Sequence, residues 1–203
     1  MKQLPDKYQD KYHRILTAAI KIFAERGFHQ STVAQIARQA GVADGTIYLY
    51  FKNKDDILEH FYSQKAQQVF GRFRHAVDQA DSAVAKLHNL IRIHLEEFRN
   101  DPHMAIVYQI ETRQQREAAR PHIREMSVMY RDLINEIVAL GQQEGTIRSD
   151  LPLGLVKRMI SGAVDEVINA WIHKGADTDP VPTADALVEL FIQGIGASHQ
   201  PNS

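Results

Sequence analysis

Apolar positions in this chain recur every three to four residues, and no run alternates apolar with polar as a half-buried strand would. Ile15, Leu16, Ala19, Ile20, Ile22 and Phe23 predict a helix over Tyr8 to Arg26, stopped at Gly27. Thr32 and Gln35 have the spacing of a capping box and open a short helix through Val33, Ile36, Ala37 and Ala40. Gly41 turns the chain, and Asp44 to Tyr50 form a second short helix. Asn53 caps a long one, with Asp55 and Asp56 at its positive end and Ile57, Leu58, Phe61, Tyr62, Val69, Phe70 and Phe73 inward, ending near Ala80.

Ser82 starts the next helix, through Leu87, Leu90, Ile91 and Leu95 to Asn100. Asp101-Pro102 is a break and restart. Further helices are expected from Met104 to Arg116, from Pro121 to Glu144, from Pro152 to Lys174 and, after the linker DTDPVP, from Thr183 to Ile195. The chain is therefore expected to be all-α, with about nine helices.

The small residues Ala37, Ala40 and Gly41 allow two helices to meet closely, with Val42 and Ile47 packing against Ile36 and Ile22. That corner is a helix-turn-helix, whose second helix presents Asp44, Gly45, Thr46, Tyr48 and Leu49, with Tyr50 near its end. Major-groove reading needs such a small exposed helix. Gly45 admits a close approach, and Thr46 and the tyrosines offer hydroxyls to phosphate or base. Lys52 and Lys54 follow. Lys54, at a helix N-terminus, is expected to clamp phosphate, and Gln30, Ser31 and Thr32 to reach it from the preceding helix. The same shape also serves as a plain packing corner in proteins that bind no DNA.

Net charge is only −1 over 203 residues, but it is unevenly placed. Met1 to Asp55 carries nine Lys/Arg against five Asp/Glu, a net of +4, and the remainder a net of −5. A basic front end suits phosphate. The chain has no cysteine, which excludes disulfides and thiolate chemistry. It has neither a signal-like start nor an apolar run long enough to span a bilayer, so it is expected to be soluble and cytoplasmic, with no membrane partner.

Two apolar stripes remain, Leu155, Met159, Ile160, Val164, Val167, Ile168 and Trp171, then Leu187, Val188, Leu190, Phe191 and Ile195. They form either a two-fold dimer bundle or part of the chain's own core. Ile91, Leu95, Met104, Ile106, Val107, Ile110, Met126, Met129, Leu133, Ile134 and Ile137 are either ordinary core or the wall of an apolar ligand site, to which adaptable methionines are suited. Arg113, Arg116, Arg120 and Arg124 either hold phosphate in guanidinium forks or form a solvated face with Glu111, Glu117 and Glu125.

Catalysis and metal binding find little support. His60, His75, His88 and His94 lack metal-ligand spacing, and HExxH is absent. Asp165 and Glu166 are adjacent and so face different sides of a helix. No metal, cofactor or enzymatic activity is expected. The rival class is a helical interaction protein.

From Ile15 to Leu58, through AAIKIFAERGFHQSTVAQIARQAGV and GTIYLYFKNKDDIL, the chain resembles the DNA-binding domain of the TetR family of bacterial repressors. The resemblance places Thr46, Tyr48, Tyr50 and Lys54 at DNA-contact positions, and Asp44 and Gly45 where residues vary with operator. Ala43 stands where a small polar cap is usual. The implied division is a DNA-binding domain over 1–53 and an effector-binding and dimerisation domain over 54–203.

DPHMAIVYQIETRQ and MISGAVDEVINAWI are similar to the TetR-type fatty-acid-degradation repressors of Gram-positive bacteria. That similarity implies a homodimer that binds a palindromic operator and is released by long-chain acyl-coenzyme A. It implies an acyl tunnel at Ile91, Leu95, Met104, Val107, Tyr108, Ile110, Met126, Met129, Tyr130, Leu133, Val167 and Trp171. Glu111 and Gln114 lie beside it, and Arg113, Arg116 and Arg120 hold the coenzyme A phosphates. The alternative is a regulator of the same family that senses another hydrophobic ligand, of multidrug type.

Overall fold

The structure is a computed structural model that describes residues 6–114 and 120–196. The described residues form nine helices: α1 (Asp6–Arg26), α2 (Val33–Ala40), α3 (Asp44–Ile47), α4 (Lys54–Asp78), α5 (Ala83–Asn100), α6 (Pro102–Gln114), α7 (Arg120–Gln143), α8 (Leu153–His173) and α9 (Thr183–Ile195). They contain no strand, only an isolated antiparallel bridge between Ile147 and Gly196. No helix among them is long and apolar enough to cross a membrane.

The chain divides into two compact units, Met1–Gln67 with His103–Arg124, and Gln68–Pro102 with Glu125–Ser203. In the first unit, α1 packs on α2 and α2 on α3. Ile15, Ala19, Ile36, Ala37, Ile47, Ile57 and Leu58 have no exposed surface there. Each such Ile or Leu contributes roughly 1.5–3 kcal/mol of burial. In the second unit, α5 packs on α8 and α9, which also meet each other. Its centre is Leu87, Leu90, Ile91, Leu95, Leu133, Ile134, Ile137, Ile160, Val164 and Ile168, all without exposed surface.

The expected helix ends hold to within two residues with one correction, while the end expected at Arg116 lies outside the described residues. Asn53 Oδ1 accepts the Asp56 N–H at 2.8 Å and opens α4 as anticipated. The helix expected over Asp44 to Tyr50 stops at Ile47, and Tyr48 to Tyr50 form a turn. Leu49 N–H bonds the Thr46 carbonyl and Tyr50 N–H the Ile47 carbonyl, at 3.1 and 3.0 Å. These tighter i→i+3 bonds wind the last residues closer than an α-helix does.

Three contacts that periodicity does not reveal close the second unit. The Trp171 indole N–H donates to the Thr178 carbonyl at 2.6 Å and pins the linker onto the end of α8. Ile147 packs so closely on Gly141 that a Cβ there would lie 2.6 Å from its Cδ1. Arg148 N–H then bonds the Ile195 carbonyl at 2.9 Å, tying the α7–α8 loop to the end of α9.

Candidate DNA interface and effector residues

The front corner is built by reciprocal capping. Thr32 Oγ1 accepts the Gln35 N–H at 3.2 Å while Gln35 Oε1 accepts the Thr32 N–H at 2.9 Å, so two orphan donors at the start of α2 are met. At the other end Gly41 is left-handed at φ 65. Arg14 of α1 donates to the Ala40 carbonyl at 2.6 Å. A guanidinium at a helix C-terminus meets both a free carbonyl and the negative end of the dipole. Nothing in the local pattern marks Arg14 for this role, because 26 residues separate it from its partner.

Helix α3 has no side-chain cap at Ala43, in line with that residue's apolar side chain. One buried residue, Ile47, anchors it. Ala43, Asp44, Gly45, Tyr48 and Leu49 are exposed, the last two at 60 % and 74 %, whereas Thr46 and Tyr50 are half-buried. The Tyr50 ring lies on Tyr8, with centroids 4.4 Å apart. Gly45 has an ordinary negative φ, and a Cβ built there meets nothing within 4 Å. Neither backbone conformation nor packing within the chain explains a glycine at that point. Gln30, Thr32 and Lys52 are exposed nearby.

Two residues expected at the phosphate surface point inward. Ser31 is 3 % exposed, and its Oγ donates to the Gly27 carbonyl at 2.7 Å, with the Ile22 carbonyl at 3.3 Å. Lys54 Nζ lies 2.8, 3.3 and 3.1 Å from the carbonyls of Phe28, His29 and Ser31, and 4.6 Å from the centre of the Phe28 ring. An ammonium has three N–H donors, and here three carbonyls take them. Lys54 and Ser31 therefore hold the α1–α2 loop in shape instead of offering charge or hydroxyl outward. Polar residues beside a reading helix are easily assigned to the ligand, when the backbone of a loop needs partners too.

The expected effector residues divide by unit. In the first unit Met104, Val107 and Glu111 are buried, Tyr108 and Ile110 half-buried, and Arg113 and Gln114 exposed. In the second Ile91, Leu95, Leu133 and Trp171 are buried, and Met126, Met129, Tyr130 and Val167 half-buried. Arg116 and the side chain of Arg120 lie outside the described residues, so the expected arginine series is seen only at Arg113 and Arg124, both exposed. Among the described residues no cluster of His, Asp or Glu is placed to hold a metal ion.

The two apolar stripes near the end of the sequence each turn out to have two faces. Ile160, Val164, Ile168, Trp171, Leu187, Val188, Phe191 and Ile195 are buried within the unit, while Leu155, Met159 and Leu190 are exposed at 60, 39 and 65 %. Each stripe, expected to serve either a dimer bundle or the chain's own core, divides between a core face and an outer face. Only the outer face is free to receive a partner.

Residues 15–61 match the family described as "Bacterial regulatory proteins, tetR family", and residues 62–194 match "YsiA-like protein, C-terminal region". The chain is 39 % identical over 185 residues to the "Fatty acid metabolism regulator protein" of Bacillus subtilis, covering 91 % of this chain and 95 % of that one. Its fold is similar to the crystal structure of the transcriptional regulator FadR from Bacillus subtilis in complex with stearoyl-CoA. There the TM-score is 0.80 and identity 38 %, over 91 % of this chain and 99 % of that chain. It is also similar to the fatty acid degradation regulator FadR from Bacillus halodurans, with TM-score 0.83 and 34 % identity over 96 % and 98 % of the two chains. A capped helix-turn-helix with an outward α3, joined to a helical second region and matched in both parts, places this chain in the TetR family of bacterial regulatory proteins, as a transcription regulator and not an enzyme.

Proposed function

We propose that the chain is a cytoplasmic repressor of fatty-acid-degradation genes that binds a palindromic operator as a homodimer and is released by long-chain acyl-coenzyme A. The observation that carries the DNA half is Gly45. A glycine within a helix, here the second residue of α3, costs up to about 1 kcal/mol relative to alanine. Since no contact within the chain needs it, its bareness serves an outside surface that comes close. Tyr48, Leu49 and Thr46 meet that surface beside it, with Ala43, Asp44, Tyr50, Lys52, Gln30 and Thr32 around them. Residues 1–53 form the DNA-binding domain and 54–203 the effector-binding and dimerisation domain. The dimer contact is the outer face of α8 and α9, through Leu155, Met159 and Leu190.

The effector half rests on the likeness to a regulator that has been crystallised with stearoyl-CoA. Arg113, Arg116 and Arg120 are the proposed phosphate anchors, and the apolar residues of the middle helices take the acyl chain. Release follows if the ligand binds the DNA-incompetent state more tightly, and by no more than that difference in affinity. α4 runs from Lys54, which fixes the α1–α2 loop, to Asp78.

A gel shift on a palindromic promoter fragment, run over a salt series, tests the reading. A specific shift that weakens steeply with salt is expected, abolished by palmitoyl-coenzyme A but not by free fatty acid or coenzyme A. Release by drug-like cations alone would place the protein among sensors of other hydrophobic ligands. No shift at all would point to a helical interaction protein.

A further inference from the structure

His94 of α5 is enclosed by aromatic rings: Phe73 of α4, Phe98 of its own helix and Tyr130 of α7, at centroid distances of 5.3, 5.3 and 4.9 Å. It is 8 % exposed, and its Nδ1 is buried without a hydrogen-bond partner. Burial holds the imidazole down to about 4, so the ring is neutral at cellular pH. The nearby acid on the same helix, Glu97, is already paired with Arg72. A neutral imidazole carries one N–H and one lone pair, and leaving either unmet in an apolar interior is costly. Packing alone does not call for a histidine here. Phenylalanine, somewhat larger, would occupy the same aromatic surroundings without a polar atom to satisfy.

The residues around it indicate what completes it. Along α5, Ile91 lies one turn before it and Leu95 directly after it, both without exposed surface. On α7, Tyr130 follows Met126 and Met129, which are half-buried and conformationally adaptable. An acyl chain entering such surroundings carries one polar group with it, the thioester carbonyl, which accepts and cannot donate. A neutral histidine in its Nδ1–H tautomer supplies the matching donor without bringing a charge.

We propose that His94 is a specificity-determining residue of the effector site, its Nδ1–H donating to the thioester carbonyl oxygen of an acyl-coenzyme A. The assignment rests on the acyl-coenzyme A reading above. It goes beyond that reading in naming which ligand atom is recognised and by which group. A thioester is thereby distinguished from any equally greasy ligand that lacks a carbonyl at that depth.

Palmitoyl-coenzyme A and S-hexadecyl-coenzyme A have equal chain length and differ at the carbonyl alone. Both are titrated calorimetrically into the wild-type chain, His94→Phe and His94→Asn, with a circular-dichroism melt of each to establish folding. The wild type is expected to bind the thioester about tenfold more tightly than the thioether. His94→Phe is expected to bind the two alike. His94→Asn, whose amide nitrogen falls near the position of Nδ1, regains part of the preference. Should the phenylalanine variant fail to fold, the same comparison is read from His94→Leu. Equal binding of both ligands by the wild type, or a preference that survives in the variant without a donor, overturns the assignment and leaves the acyl-coenzyme A reading standing. Binding of neither ligand by the wild type overturns both.

Discussion

In the reading head, the buried Ser31, the half-buried Lys54 and the exposed Arg14 all have partners within the chain. Ser31 Oγ lies on two carbonyls, Lys54 Nζ on three, and Arg14 on the open end of α2. Beyond Phe61 the same kind of group is left open: the hydroxyl of Tyr62, Nδ1 of His94, the amide nitrogen of Gln109, the side-chain oxygen of Asn135 and the hydroxyl of Ser161. Among the described residues, no such orphan precedes Tyr62. The head must match a DNA lattice of fixed dimensions, and closed hydrogen bonding holds it to one shape. The remainder carries unmet groups that each cost about 1–3 kcal/mol, which lowers local stability and leaves something for a ligand to complete.

The largest test of this contrast is Ile47→Ala. α3 has this one buried anchor, so the loss of roughly 2–5 kcal/mol should lower the melting temperature and abolish the operator shift. A variant that still shifts DNA with wild-type affinity would show that the head is held by something other than its closed core.

His94→Phe should do the opposite and leave the protein as stable or more so at neutral pH. It also removes a pH dependence. The folded-state value of about 4 lies below the ordinary 6.5, so between them the unfolded chain binds the extra proton. This stability is complete above about pH 6.5 and is lost as pH falls toward 4, by on the order of 3 kcal/mol. The difference between wild-type and His94→Phe melts across that window isolates the effect. Parallel curves would mean that His94 is not buried in its neutral form.

Lys54→Met comes next, at about 1–3 kcal/mol, because three loop carbonyls lose a charged donor. Its stability loss should persist in high salt, whereas a pure phosphate contact would leave the melting temperature of the free protein unchanged. The smallest effect on the fold is that of Gly45→Ala. The added methyl meets open space, so stability should stay level or rise by up to about 1 kcal/mol. Operator affinity should fall in the same protein, and unchanged affinity would remove the argument for close approach at Gly45.

Signals carried by neighbours in sequence were legible without coordinates. The capping box of Thr32 and Gln35, the left-handed Gly41 and the Asn53 cap all stand where spacing placed them. Signals that join distant residues were not. Arg14 reaches Ala40, and Lys54 reaches Phe28, across 26 positions, and periodicity carries no information at that range. α3 was expected to run three residues too far because a 3₁₀-like turn and an α-helix share the same local preferences. On α8, Leu155 and Met159 were grouped with Ile160 and Val164 because one apolar alphabet serves both core and outer face. The spacing of His94 excludes a metal pair and says nothing more, because its enclosure by Phe73 and Tyr130 joins three separate helices.

The bridge between Ile147 and Gly196 bears on how the chain matures during synthesis. The α7–α8 loop emerges from the ribosome well before the Ile195 carbonyl that fixes it. Until α9 has been made, Thr146 and Ile147 can bond the Gly141 carbonyl, but the Arg148 N–H lacks the Ile195 carbonyl that it bonds in the finished fold. Nascent chains should thus complete the Thr32 to Asn53 corner early, since its capping and turn-forming partners reach no further along the chain than Lys54, Asp56 and Ile57 in the first turn of α4. Premature termination before α9 would then release a formed DNA-reading corner attached to an unfinished, unlocked sensor.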